Sequence, residues 1–256
     1  MRCVPVGGRR AALHWRRKGG PTRGWDACPN APHPFGTARV EHRLGPGRLT
    51  PAAAGASCAI GGTVAIETRP ATDFDDVATM VGPKRPDANV CWCLSYRIPS
   101  KENRELVGPA RGERVREMME DGPIGVLAYD GDEVVGWAGV APRAATSFAT
   151  NRTIPHVDDL DVWSVWCIRV RPGHRGEGIS HHLLRGAVDV ARDAGAPAIE
   201  GYPVDNRGQK VDLTMAYVGT RRLFEQQGFH KAADTTSVLN GFPRVLMRLD
   251  LGVATR

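Results

Sequence analysis

The sequence predicts one α/β domain built on a mixed β-sheet and preceded by a segment without regular structure. Runs of alternating apolar and polar residues indicate strands, and charged amphipathic stretches indicate helices. The two kinds of element follow one another within residues 63–256 in the order β-α-α-β-β-β-α-β-α-β-β. This order gives about seven strands and four helices, which is typical of a single α/β domain.

Residues 1–62 form the predicted disordered segment. Residues 1–60 contain seven prolines and nine glycines, which interrupt helices and strands, and ten basic side chains against two acidic ones. This stretch carries a charge of +8 and the whole chain +6, so residues 61–256 carry −2. One interpretation is an upstream extension ahead of the folded domain.

The first half of the domain begins with a strand over 63–69 and a helix that Asp73 caps and that reaches Met80. The stretch 82–100 contains three prolines and should be irregular, and an amphipathic helix should follow over 101–120. The later elements then come in this order: strands 124–129 and 133–141 joined by an Asp-Gly hairpin turn, a loop over 143–160, strand 161–171, helix 178–194, strand 198–204, helix 212–227, and strands 229–236 and 243–250.

The most informative stretch is a buried strand that enters a glycine-rich turn and then a helix, Ile168-Arg-Val-Arg-Pro-Gly-His-Arg-Gly-Glu-Gly-Ile-Ser180. The first amides of a helix lack intrahelical acceptors and point, with the positive end of the dipole, at whatever precedes them. Gly176 and Gly178 permit close backbone approach, and Arg175 adds a mobile cation. The stretch therefore predicts a pyrophosphate cradle. A Rossmann fingerprint would need a third glycine, and a Walker A loop would need Gly-Lys-Ser/Thr.

This stretch resembles the acetyl-CoA signature of the GCN5-related N-acetyltransferases, [IL]-x-V-x-P followed by R-G-x-G-I-[GA]. The chain departs from that signature only at Ser180. The resemblance covers roughly residues 63–250 and includes Val135-Gly136-Trp137 and Leu223–Phe229. It implies a mostly antiparallel sheet of about seven strands flanked by four helices, with the fourth and fifth strands splayed apart, and it makes 63–256 the N-acetyltransferase domain.

The resemblance also implies that acetyl-CoA is the co-substrate. The backbones of Ile168 and Val170 should hold the pantetheine amides, and the amides from Arg175 to Ser180 should hold the pyrophosphate. The residues expected at the cofactor are Ile168, Arg169, Val170, Arg175, Gly176, Glu177, Gly178, Ile179, Ser180 and Phe224.

Three residues are candidates for the acid–base steps. Many members of the family use a tyrosine as the acid, four residues before the Gly-Phe that ends the last helix, and Phe224 occupies that position here. Tyr217, two helical turns before Phe224 and on the same predicted helix face, is the candidate acid, and Tyr202 is a weaker one. Glu200 interrupts an apolar strand beside the splay, where burial would raise its pKa, and is the candidate base.

The leading hypothesis is therefore direct acetyl transfer from acetyl-CoA to a primary amine of a small molecule or a protein. Aromatic residues of 82–100 and the acids Asp158 to Asp161 would suit a cationic amine. One alternative is a non-catalytic acyl-CoA-binding or regulatory domain, because a phenyl ring at Phe224 donates no proton. Another is nucleic-acid binding through the basic tail, which the mildly acidic domain does not favour.

The cysteines and the hydropathy give the remaining expectations. Six cysteines without repeated CxxC spacing, and no apolar region after the basic start, predict a reducing cytoplasmic setting with free thiols and no metal site. No run approaches about 18 apolar residues, so no membrane-spanning helix is expected. A homodimer is an assembly that the resemblance allows.

Overall fold

The strands of the domain are defined by a computed structural model that describes residues 65–85, 88, 92–212 and 217–252. The predicted disordered segment 1–62 lies outside the described residues, as do residues 213–216 of the last predicted helix.

Seven strands form one sheet in the described part of the chain. They are β1 (Glu67–Pro70), β2 (Val126–Asp130), β3 (Glu133–Pro142), β4 (Trp163–Val170), β5 (Ala198–Gly201), β6 (His230–Leu239) and β7 (Phe242–Asp250). Their order across the sheet is β1-β2-β3-β4-β5-β7-β6, and only β4 and β5 pair in parallel. The mixed, mostly antiparallel sheet is thus confirmed.

The parallel pair β4–β5 separates before β4 ends. Its register extends only from Trp163 opposite Ile199 to Val165 opposite Gly201, whereas β4 continues to Val170. The predicted splay is confirmed, and within the described residues it leaves the last part of β4 without a strand on that side.

The described residues contain five α-helices, α1 (Phe74–Val81), α2 (Ser100–Glu105), α3 (Pro109–Glu120), α4 (Ile179–Asp193) and α5 (Arg221–Glu225). The helix predicted over 101–120 is divided into α2 and α3. The division falls at Gly108, whose φ is +53°, because the following Pro109 has no amide to continue a helix and instead starts a new one.

The helix predicted over 212–227 is wrong at 217–220, where the described residues form a turn and a bridge. Within the described residues it is confined to α5, because Gly219 has a φ of +79° and Thr220 pairs with Val204 in an isolated β-bridge. Thr220 then caps α5 through its side chain, which accepts from the Leu223 amide. Tyr217 therefore lies in the turn before this break and does not share a helix face with Phe224.

The sheet packs helices on both faces. On one face, α4 buries Leu183, Leu184 and Ala187 against the strands, and Phe224 of α5 joins the same cluster. On the other face, the indoles of Trp137 and Trp166 belong to the cluster that includes residues of α1 and α3. The apolar faces that the amphipathic pattern predicted are thus buried against both faces of the sheet.

Candidate active site

A cavity of about 580 Å³ opens where β4 and β5 diverge. The end of β4, the loop that follows it, the start of α4, the turn before α5 and α5 itself form its walls. The predicted cofactor residues that line it are Ile168, Arg169, Val170, Arg175, Gly176, Gly178, Ile179 and Ser180. Glu177 and Phe224 are not among the lining residues.

The loop before α4 has the geometry of an anion cradle. Gly176 and Gly178 adopt φ values of +92° and +78°, and a Cβ at either position would contact no heavy atom within 4 Å. These glycines are therefore required for backbone conformation rather than for space. Gly178 is the N-cap of the 15-residue helix α4 and provides no side chain to the amides of its first turn. Those amides are suited to bind phosphate oxygens in the cavity.

The basic side chains near this loop differ in whether they pair with a carboxylate. Arg171 pairs with Glu133 at 2.7 Å, and Glu177 lies 3.5 Å from the His174 ring. Arg175, in contrast, is exposed and has no ion-pair partner within the described residues. Arg222 of α5 also lines the cavity, and it was not predicted as a site residue because α5 was expected only as part of a longer helix.

The free edge of β4 is partly closed by the turn before α5. The Ile168 amide donates to the carbonyl oxygen of Tyr217 at 2.6 Å, so this N–H is already engaged by the protein. Val170 is two residues further along the strand, so its backbone groups face the same edge. The N–H of Ile168 is thus bonded within the protein, and the pantetheine role of Ile168 and Val170 stays a prediction.

Tyr217 lines the cavity although it is not on a helix. Its hydroxyl lies 3.0 Å from the hydroxyl of Tyr96, a residue of the 82–100 stretch that the sequence analysis had assigned to acceptor binding. Burial and the bond with Tyr96 raise the pKa of Tyr217 above its ordinary value of 10, and Arg244 opposes that increase. Tyr217 is therefore a protonated donor at neutral pH.

Glu200, the candidate base, is fully buried on β5 and does not line the cavity. One carboxylate oxygen accepts from Arg143 at 3.2 Å and from the Tyr202 hydroxyl at 3.2 Å, and the other accepts from Arg248 at 3.2 Å. Burial raises the pKa of Glu200, and the two arginines oppose this effect. The geometry is that of a buried ion-pair cluster.

Phe224 is a core residue rather than a cofactor contact. Its side chain is fully buried and packs edge-on against Phe229 with ring centroids 5.1 Å apart. A Cβ at Gly201 would lie 2.2 Å from its ring, so Phe224 fills the space beside the end of β5. The aromatic residue four positions before the Gly-Phe is thus used for packing in this chain.

No three His, Cys, Asp or Glu side chains of residues 65–85, 88, 92–212 and 217–252 cluster so as to hold a metal ion. In the same ranges, the helices are all too short or too polar to cross a membrane.

Comparison with known proteins relates this site to one family. Residues 94–229 match the acetyltransferase (GNAT) family. None of the curated proteins compared with the chain matches it.

The solved structures that are similar to the chain include the following three. A GNAT-family acetyltransferase from Bacillus cereus is 12% identical, with 73% of this chain and 97% of that chain covered and a TM-score of 0.44. The NatC complex bound to Gag peptide and CoA is 16% identical, with coverages of 73% and 98% and a TM-score of 0.42. The ribosomal-protein-S18-alanine N-acetyltransferase from Escherichia coli is 12% identical, with coverages of 75% and 96% and a TM-score of 0.40.

Proposed function

The chain belongs to the GNAT family of acetyltransferases, with acetyl-CoA as co-substrate, and we propose that it transfers the acetyl group directly to a primary amine of a small molecule. The observation that carries this proposal is the continuity of one cavity. It extends from the start of α4, along the free edge of β4, to Tyr217.

The residues present fit acetyl-CoA at both ends of this cavity. The uncapped amides that follow Gly178 and the exposed Arg175 suit the pyrophosphate, since both provide positive charge without a competing carboxylate. The backbone of Val170 suits a pantetheine amide, because no strand of the described part of the chain pairs with β4 there on the side of β5. Most of these contacts use the main chain, so they depend on loop and strand geometry more than on side-chain identity.

Bound acetyl-CoA would supply an acetyl thioester, and the chain must then supply a proton to the departing sulfur. Tyr217 holds such a proton, because its raised pKa keeps the hydroxyl protonated at neutral pH. Tyr96 holds the Tyr217 hydroxyl in place through the 3.0 Å hydrogen bond. We therefore assign the acid role to Tyr217, with Tyr96 as its positioning residue.

The amine must lose a proton on attack, and we propose that this proton leaves to solvent. Both oxygens of Glu200 are engaged by arginines, and this side chain does not line the cavity. A neutral amine that enters from solvent needs no dedicated base before it attacks the carbonyl.

The position of Phe224 weakens the hypothesis of a non-catalytic domain. A phenyl ring at the expected position of the acid favoured that hypothesis, but Phe224 packs in the core and Tyr217 lines the cavity. The nucleic-acid alternative rests on residues 1–60, which lie outside the described residues. The buried free thiol of Cys167 supports a reducing setting, and we propose a cytoplasmic one.

Acetyl-CoA turnover with a panel of small primary amines and short peptides tests the proposal. We expect thiol release that depends on the amine and that equals the amount of N-acetylated product found by mass spectrometry. Incubation without amine is the control for hydrolysis of the thioester. Tight CoA binding without amine-dependent thiol release would instead support the non-catalytic domain.

A further inference from the structure

The active-site cavity is lined by basic side chains and, within the described residues, by no Asp or Glu. Asp158, one of the acids expected to hold a cationic amine, pairs instead with Arg248 at 2.8 Å. A cleft whose walls carry charge of one sign attracts ligands of the opposite charge. The cavity therefore favours an anionic ligand. The basic residues that line it are Arg169, Arg171, His174, Arg175, His181 and Arg222.

The segment 217–227, which contains α5, provides one wall of this cavity and is attached to the other walls at both of its ends. Its first residue accepts from the Ile168 amide of β4 at 2.6 Å. At its last residue, Nε2 of Gln227 lies 3.0 Å from Nδ1 of His181 in the first turn of α4. Arg222 comes between these two attachments in the chain and lines the cavity. It therefore borders the same space as the loop before α4.

Two consecutive arginines of α5 differ in their partners. Arg221 pairs with Glu225, four residues later, at 2.7 Å and with Asp205 at 3.2 Å. Four residues after Arg222 the chain has Gln226, which carries no charge. Within the described residues, no carboxylate forms an ion pair with Arg222, and its side chain is exposed. Its guanidinium is thus available to a ligand in the cavity.

The phosphate groups of CoA provide more acceptors than one wall can engage. CoA carries a pyrophosphate and a separate phosphate on its ribose. The amides after Gly178 and the side chain of Arg175 come from one loop and the helix that follows it, so they approach the ligand from one side. Arginine binds phosphate through parallel N–H···O bonds from its planar guanidinium. Arg222 is suited to bind oxygens that the loop before α4 leaves free.

From this geometry we infer that Arg222 binds a phosphate group of CoA from the α5 side of the cavity. The phosphates are then bound by the loop before α4 on one wall and by Arg222 on the other. The inference rests on the proposed function only in that CoA occupies the cavity, and it holds for any acceptor. Arg222 lies outside the signature stretch 168–180, so its role does not follow from that stretch.

Calorimetric titration of the full chain with CoA, in the absence of an amine, tests the inference. Arg222→Gln should raise the Kd of CoA by about 10-fold, because it removes a hydrogen-bonded contact with a charged group. Arg222→Lys should keep part of the affinity, since it keeps the charge without the planar guanidinium. Arg185→Gln is the matched control, because Arg185 is exposed on α4 and does not line the cavity. An unchanged Kd in R222Q would overturn the inference.

Shortened ligands identify the phosphate that Arg222 binds. Dephospho-CoA lacks the ribose phosphate and keeps the pyrophosphate. Equal affinity of R222Q and the wild-type protein for dephospho-CoA would assign Arg222 to the ribose phosphate, and a loss of about 10-fold for both ligands would assign it to the pyrophosphate. Pantetheine has no phosphate and should displace labelled CoA from both proteins with the same Kd. A loss of pantetheine affinity as large as that for CoA would show an altered α5 and overturn the inference.

The salt dependence of CoA binding gives a readout that a purely structural role would not change. Salt screens the attraction between an exposed guanidinium and a phosphate. The ratio of the Kd of R222Q to that of the wild-type protein should therefore fall as the salt concentration rises, and a constant ratio would contradict the inference. None of these measurements requires turnover. Failure to acetylate any amine would contradict the proposed function and leave the role of Arg222 standing.

Discussion

Tyr217 combines a backbone role and a side-chain role at one position. Its carbonyl accepts from the Ile168 amide on the free edge of β4, and its hydroxyl lies within hydrogen-bond distance of the Tyr96 hydroxyl. The first contact fixes the turn before α5, and the second orients the hydroxyl. A change limited to the hydroxyl should therefore affect chemistry and spare the fold.

Tyr217→Phe tests the acid role. We expect kcat to fall by about 100-fold or more, because a positioned general acid contributes about 10²–10⁴-fold. The KM for acetyl-CoA should change little, because the backbone contact with Ile168 remains. Steady-state kinetics measure both parameters. An unchanged kcat would show that the leaving thiolate takes its proton from another source.

The pH profile offers a second test at the same residue. The pKa of Tyr217 is raised above 10, so the hydroxyl stays protonated through neutral pH and any alkaline decline due to Tyr217 begins above pH 10. Tyr96→Phe removes a contact that raises this pKa, so the alkaline limb of kcat/KM should move to lower pH. A limb that does not move in Y96F would contradict the role of Tyr96 as positioning residue.

Gly178→Ala tests the cradle. Both Gly178 and Gly131 adopt positive φ, at +78° and +60°, and neither would place a Cβ within 4 Å of another heavy atom. Alanine at either position should lower the free energy of unfolding by about 1–2 kcal/mol. Only the change at Gly178 should also weaken CoA binding, because Gly131 lies in the β2–β3 hairpin. Calorimetric titration measures the affinity of each variant for CoA. Equal affinities of the Gly178 and Gly131 variants would show that the loop before α4 does not bind CoA.

Among the secondary-structure elements, those whose residues are contiguous in the sequence could be predicted from the pattern of neighbouring residues. The loop from Pro172 to Ser180 was predicted correctly because strand, glycines and helix start are contiguous in the sequence. The helix break before α5 was missed, although Gly219 followed by Thr220 is a recognisable stop and cap. Tyr217 was thus identified as a cavity residue through a helix that does not exist at that position.

The arginine cluster could not be predicted, because it depends on contacts far apart in the chain. Arg143 follows β3, Glu200 lies on β5 and Arg248 lies on β7, and only the sheet order brings them together. In the sequence, Glu200 looked like a base because it interrupts an apolar strand. Its arginine partners carry no local signal.

Glu200→Gln tests whether this residue serves the fold or the reaction. Removal of its charge leaves Arg143 and Arg248 without their shared partner, so we expect the free energy of unfolding to fall by about 3 kcal/mol. The kcat of the folded enzyme should stay within about threefold. Asp250→Asn is the control, because it removes a mostly exposed partner of Arg248 and should cost less than about 1 kcal/mol. Loss of kcat by 100-fold would restore Glu200 as a base.

The sheet of the domain consists of two parts that are joined only by the short pairing of β4 with β5. Strands β1 to β4 form one part and β5 to β7 the other, and β4 and β5 pair at only three positions. The cavity walls come from both parts, since the cradle follows β4 whereas α5 follows β5 in the chain. A ligand that fills the cavity therefore contacts both parts of the sheet.

Hydrogen exchange with and without CoA tests this bridging. A ligand at a concentration of 100 times its Kd stabilises the folded state by about 2.7 kcal/mol. Exchange slows in the segments that can open only after the ligand is released. We expect slower exchange at residues 175–182 and also at 217–226, on the other side of the splay. The β2–β3 hairpin, which does not contact the cavity, is the internal control. Slower exchange at 175–182 alone would mean that CoA contacts only the loop before α4 and the start of α4. CoA would then not bind between β4 and β5.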